Sequence, residues 1–125
     1  MEIRVYYEDT DCGNVVYYAN YLKYMERSRT EYLRDRGIDL AEYQRNGITF
    51  VVVEAHVKYR SPAQYNDLLT VESSVVEMTS ATVMFTTNIT RRGQLLVKGD
   101  VKLACLTSSG KAGKIPQEIR DALVS

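Results

Sequence analysis

A single long stretch of helical period, followed by strand-like alternation to the end of the core sequence, limits the folds open to this chain. Tyr18, Tyr21, Leu22, Met25, Tyr32 and Leu33 recur at three- and four-residue spacing. Lys23, Arg27, Thr30, Glu31, Arg34 and Asp35 fall mostly on the opposite side. The pattern predicts one amphipathic helix of about five turns, residues ~18–36, with one face buried. Ser28 and Arg29 stand where the apolar stripe should continue, so that face is not wholly apolar. Gly37 is placed to end the helix in a left-handed conformation. Asp39 then caps a short helical turn, Leu40 to Arg45, which Asn46-Gly47 closes.

The remaining chain reads as strands. Ile3, Val5 and Tyr7 alternate as one face of an opening strand. A long strand from Ile48 to Arg60 carries Thr49, Val51, Val53, Ala55, Val57 and Tyr59 on one face. Its other face holds Ile48, Phe50 and Val52, then Glu54, His56, Lys58 and Arg60. Half of this strand is thus apolar on both sides. Ser61-Pro62-Ala63 breaks it, because Pro cannot donate to a ladder. Leu69 to Val75, Val83 to Ile89 and Val97 to Cys105 follow as further strands, with Arg91-Arg92-Gly93-Gln94 as a hairpin tip. Pro116 opens a short terminal helix carrying Ile119 and Leu123. Strands in series after one helix predict an α+β fold with a mostly antiparallel sheet. One helix covers one face of such a sheet, and its edges favour a homo-oligomer.

The 125 residues suit a single domain, 1–125, with a real core. Sixteen basic and sixteen acidic side chains cancel, so no net field argues for a nucleic-acid or membrane partner. Met1-Glu2-Ile3-Arg4 lacks the apolar region of a signal peptide, and no apolar run approaches a membrane-helix length. Two cysteines, Cys12 and Cys105, do not make a disulfide scaffold and point to a reducing cytoplasm. Ten Tyr against two Phe and no Trp is the one oddity, and five of the ten lie between Tyr6 and Tyr21. Such rings suit a pocket wall or an interface, or simply a core built with Tyr in place of Phe.

The chemistry is narrowed by what is missing. The single His56 lies in mid-strand between Glu54 and Lys58, and the chain has no nucleophile elbow, phosphate loop or paired Cys/His spacing. Carboxylates remain. Glu8-Asp9-Thr10-Asp11-Cys12-Gly13-Asn14 is a turn feeding the helix, which puts an acid or base beside unpaired N–H donors and a partial positive charge. Cys12 as a thiol nucleophile, Glu8, Asp9 and Asp11 as a cation site, and Asp9, Asp11 and Asn14 as turn and capping groups alone are the competing readings.

The stretch V-Y-Y-E-D-T-D-C-G-N-V-V-Y-Y-A-N-Y-L, with Y-M-E-R-S-R-T-E-Y-L after it, resembles the hotdog-fold acyl-CoA thioesterases. It is most similar to the 4-hydroxybenzoyl-CoA thioesterase family and its YbgC-type, Tol-Pal-associated branch. The similarity extends to Tyr59-Arg60-Ser61-Pro62-Ala63 and Tyr65-Asn66-Asp67-Leu68-Leu69. It implies a curved antiparallel five-stranded sheet wrapped round one long helix, assembled as homodimers or homotetramers with sites at the dimer interface. By the same resemblance Asp11 is the catalytic carboxylate and Tyr7 an active-site tyrosine. Tyr18 stands where the YbgC-type branch usually has His, and the 4-hydroxybenzoyl-CoA branch uses the backbone N–H of an aromatic residue there. Lys58 and Arg60 are the preferred cations for coenzyme A phosphates, ahead of Arg91 and Arg92. The implied activity is hydrolysis of short-chain or aromatic acyl-CoA, with no cofactor beyond the coenzyme A of the substrate. The alternative is a catalytically weak hotdog protein that binds acyl-CoA or acyl-carrier protein, or serves an envelope-associated complex.

Overall fold

The computed structural model describes residues 1–124. Strands β1 (Glu2–Arg4), β2 (Thr49–Tyr59), β3 (Leu68–Met78), β4 (Thr82–Arg91) and β5 (Gln94–Leu106) form one antiparallel sheet in the order β1-β3-β4-β5-β2. Helix α1 (Asn20–Arg34) lies on one face of the sheet, with α2 (Leu40–Arg45) and α3 (Gln117–Leu123) beyond its far end. This is the α+β hotdog architecture, a curved sheet with one long helix, that the resemblance implied.

The core lies between α1 and the sheet. Tyr21, Tyr24, Met25 and Leu33 from the helix meet Leu69, Val71, Val83, Phe85, Ile89, Val97, Val101 and Leu103, all buried. Away from the bulges, the strands send every second side chain inward, as the pleat requires. Gly99 lets the helix approach: a Cβ there would lie 2.5 Å from the Met25 sulfur. Ser28 is buried without penalty because its hydroxyl bonds Ser73 at 2.8 Å, and Ser73 bonds its cross-strand neighbour Thr87 at the same distance. The helix ends as anticipated, with Gly37 at φ 84° and Ile38 N–H returning to the Leu33 carbonyl at 3.0 Å. Asp39 caps α2 by accepting from Ala41 N–H at 3.0 Å.

Three expectations change. Helix α1 starts at Asn20 and ends at Arg34, so it is shorter than the predicted span. The N–H groups of Asn20, Tyr21 and Leu22 each bond the third carbonyl back, so Tyr17 to Ala19 form a tight entry turn. Tyr7 is not in a strand: β1 stops at Arg4, and Tyr7–Asp9 is a 3-10 turn held by Tyr6 N–H on the Asp9 carboxylate at 2.9 Å. The local carboxylate offers the backbone a turn that outcompetes the ladder.

The faces of β2 are also reassigned. A bulge between Val52 and Glu54 inserts Val53 without an opposite residue on β5. Phe50 and Val52 therefore share the helix-facing side with Ala55, Val57 and Tyr59, because one extra residue flips a two-residue period. The first half of the strand is apolar on both sides, as its sequence predicts, with Phe50 and Val52 inward opposite Cys105 and Leu103 and Val51 outward opposite Ala104; the bulge changes the inward set only beyond Val53. A second bulge at Val76 does the same in β3.

Candidate active site

The segment between β1 and α1 folds into a small hairpin. Thr10 bridges Val16, Asp11 N–H bonds the Val15 carbonyl at 2.9 Å, and Tyr17 N–H bonds the Asp9 carbonyl at 2.9 Å. Asn14 closes the tip at φ 64°, a left-handed position Asn tolerates. Val15 bridges Gln64, and Val16 N–H bonds the Ala63 carbonyl at 2.8 Å, which fastens the hairpin to the segment after the Pro62 break. Tyr21 fastens the other side, its buried hydroxyl accepting from Ala63 N–H at 3.0 Å. Asp11 and Tyr18 thus sit on the two arms of one braced turn.

Asp11 is exposed at the tip. Its Oδ1 accepts from Gly13 N–H at 2.8 Å, and Oδ2 has no partner among the described residues. A Cβ at position 13 would lie 3.2 Å from that Oδ1, so the absence of a side chain there leaves the carboxylate its place. On α1, Tyr24 is 1% exposed, and its hydroxyl closes no hydrogen bond among the described residues. Burial, then the neighbouring Asp9 carboxylate, push its ionisation above the ordinary tyrosine range.

Tyr18 lies in the entry turn, two residues before the first residue of α1. Its N–H and that of Ala19 donate to no atom among the described residues, whereas the next three N–H groups are all bonded. These are the orphan donors of a helix start, and the dipole adds positive potential at the same point. Beside them is a pocket of about 220 Å³ lined by Val16, Tyr18, Tyr21, Tyr59, Arg60, Ser61 and Pro62. Tyr59 closes its wall: its ring meets those of Tyr18 and Tyr21 at 6.3 and 5.7 Å, and its hydroxyl donates to the Tyr18 carbonyl at 3.5 Å.

The structure therefore brings Tyr18 and Arg60 to one pocket and places Asp11 on the same hairpin. Tyr7 is 76% exposed and packs edge-on against Tyr65 at 5.9 Å, outside the lining of that pocket. Lys58 lies on the outer face of β2, opposite Lys98, one residue out of phase with the inward Tyr59. His56 shares that outer face and pairs in register with Asp100. Arg91 is engaged elsewhere, in a 2.7 Å ion pair with Asp67. Among the described residues no group of three or more His, Cys, Asp or Glu side chains gathers to hold a metal ion. Tyr59 and Tyr21 are the site residues that sequence reasoning left unassigned. The signal was available, since Tyr59 is the last inward position before the proline break.

Residues 5–123 match the thioesterase-like superfamily. The chain is 42% identical over 124 residues to an acyl-CoA thioesterase YbgC from Haemophilus influenzae, covering 96% of this chain and 90% of that protein. A crystal structure of a hypothetical protein from Thermus thermophilus superposes with a TM-score of 0.94 at 30% identity, covering 99% of this chain and 95% of the other. A 1,4-dihydroxy-2-naphthoyl-CoA thioesterase from Synechocystis shares the fold with a TM-score of 0.93 at 22% identity, over 100% of this chain and 94% of the other.

Proposed function

The chain belongs to the thioesterase-like superfamily, and we propose that it hydrolyses acyl-CoA thioesters with Asp11 as the carboxylate and the start of α1 as the oxyanion site. The observation that carries this reading is the pair of unspent N–H donors, Tyr18 and Ala19, at a helix start beside an aromatic-walled pocket. A thioester carbonyl placed there receives hydrogen bonds and dipole stabilisation as negative charge develops on its oxygen. Asp11 on the facing arm either attacks the carbonyl carbon, forming a mixed anhydride and expelling the coenzyme A thiolate, or takes a proton from an attacking water. Single turnover in heavy-oxygen water separates the two, because label in the Asp11 carboxylate requires the anhydride.

A pocket of about 220 Å³, smaller than drug-sized sites, with Tyr18, Tyr21 and Tyr59 as walls, suits short-chain or aromatic acyl groups. Arg60 is the cation at its rim for a coenzyme A phosphate, and its loss raises KM more than it lowers kcat. The protein works as a homo-oligomer, because β2 is an outermost strand with exposed Val51, Val52 and Val53. Exposed Cys12 and buried Cys105 are both free, in keeping with a cytoplasmic setting. Thiol release measured across a panel of acyl-CoAs tests the activity. Turnover of short or aromatic members supports the proposal, and no release from any member at micromolar enzyme overturns it.

A further inference from the structure

Arg29 is a cation on α1 that is 8% exposed and forms no ion pair or hydrogen bond among the described residues. Burial shifts its guanidinium downward from the ordinary value, and the Glu26 charge opposes that shift. Glu26 itself is exposed and accepts from Thr30 Oγ1 at 3.0 Å. On one side of Arg29 is a cavity of about 180 Å³, walled by Leu33, Phe50, Phe85, Leu103, Ile119 and Leu123. On the other a wider groove of about 550 Å³ opens between α1 and β2. Arg29 lines both and so stands at the passage between them. The cavity shares no lining residue with the pocket at Tyr18, and Arg29 lies roughly 14 Å along the helix from Asn20. A buried charge facing an apolar space is costly until an anion meets it.

We propose that Arg29 and this cavity bind a short-chain carboxylic acid, with the carboxylate on the guanidinium and the alkyl tail among the apolar walls. The surroundings select that class. A guanidinium pairs a carboxylate through two parallel N–H donors. Among the described residues no second cation lines the cavity, and Glu26 borders it, so a polyvalent anion such as phosphate is poorly matched. An uncharged apolar molecule fills the space but leaves Arg29 buried and unpaired. The volume admits about six water-sized groups of ~30 Å³ each, which suits acids of about four to six carbons. Hydrolysis of a short-chain acyl-CoA releases acids of this kind, so the site registers product. That last link rests on the activity proposed above, whereas the binding does not.

Calorimetric titration of the full chain with sodium hexanoate is the test. Hexanoate binds, while hexanol and inorganic phosphate, each lacking one half of the ligand, bind roughly tenfold more weakly or worse. Arg29→Met keeps the length of the side chain and removes the charge. It lowers hexanoate affinity by roughly tenfold or more, yet melts no lower than wild type without ligand, because an unpaired buried cation is gone. The wild-type comparison stands even if that variant does not fold. In NMR spectra hexanoate shifts the Arg29 Nε–H signal and the methyl signals of Leu33 and Leu103. Shifts confined to the Tyr18 and Gly13 amides instead overturn a separate site. So does a lack of binding at ~10 mM hexanoate, above the millimolar range of weak association, or equal binding of hexanol or phosphate. An Arg29→Met variant with unchanged hexanoate affinity overturns it too. One that loosens self-association does the same, since an acid of a neighbouring chain then already meets Arg29. Acyl-CoA turnover without hexanoate binding removes this site alone, and hexanoate binding without turnover removes only the activity and the link to product.

Discussion

The side-chain amide of Asn20 donates to the backbone carbonyl of Asp9 at 2.9 Å, tying the first residue of α1 to the arm that carries Asp11. The same carbonyl accepts from Tyr17 N–H at 2.9 Å, so both arms and the helix start converge on one oxygen. Asn20→Ala leaves the Tyr17 bond in place but frees the helix from the turn. We expect a stability loss of about 1 kcal/mol, the usual size for one partly buried hydrogen bond. Turnover falls further than that loss implies, roughly tenfold in kcat with little change in KM, because misplacing a catalytic arm by a fraction of an ångström is costly. Thermal melts and steady-state kinetics on the same preparation check both halves.

Asp11→Asn preserves the shape of the turn, since the amide oxygen still accepts from Gly13 N–H as the carboxylate Oδ1 does at 2.8 Å. The residue is exposed, so melting is unchanged within error. The variant has lost the nucleophile or base, and kcat drops by roughly three orders of magnitude. Near-native turnover would remove Asp11 from the mechanism.

How much of this was legible in the sequence depends on whether a local rule or a tertiary contact decided the outcome. The caps at Gly37 and Asp39 and the alternation of β4 and β5 follow from short-range chemistry, and they read directly. The Arg91–Gln94 hairpin reads only in part, because Arg92 joins Gly93 at positive φ, 51° and 80°. The bulge at Val53 was not legible: it depends on which residue of β5 faces each residue of β2, and a bare alternation has no register. Asp11 and Tyr18 enter as candidates through motif resemblance. Tyr59 was not legible as a pocket residue because its place in the wall comes from a meeting with Tyr18 and Tyr21 across the fold. Arg29 was visible only as an interruption of the apolar stripe, and its missing partner emerges from the packing.

Tyr18 separates a side-chain role from a backbone one. Its ring is 61% exposed, while its N–H is the unspent donor at the helix start. Tyr18→Phe and Tyr18→His keep that donor and retain turnover within a few-fold of wild type. Tyr18→Pro removes it at a helix entry where proline is well tolerated, and kcat falls by roughly a hundredfold or more. Circular dichroism confirms that the helix persists. Equal losses for Phe and Pro would assign the role to the hydroxyl.

Asp67 and Arg91 brace the site from behind, because the turn that holds Asp67 also carries Gln64, the bridge partner of Val15. Burial alone would raise the Asp67 carboxyl. The bonds from Gln64 N–H at 2.8 Å and Arg91 at 2.7 Å outweigh it and hold the carboxyl below the ordinary aspartate range. A folded-state pKa below the unfolded value of about 3.9 means the stabilisation is fully present above ~pH 4 and fades as pH falls through the lower folded value. Arg91→Gln removes the charge and weakens the bond, so at neutral pH the variant is less stable by about 1 kcal/mol, as for a partly exposed pair. The gap between wild type and variant closes on acidification, as Asp67 takes up a proton in both. Urea unfolding midpoints from pH 7 down to pH 3 trace the convergence, and a gap independent of pH would assign the loss to packing of the arginine stem.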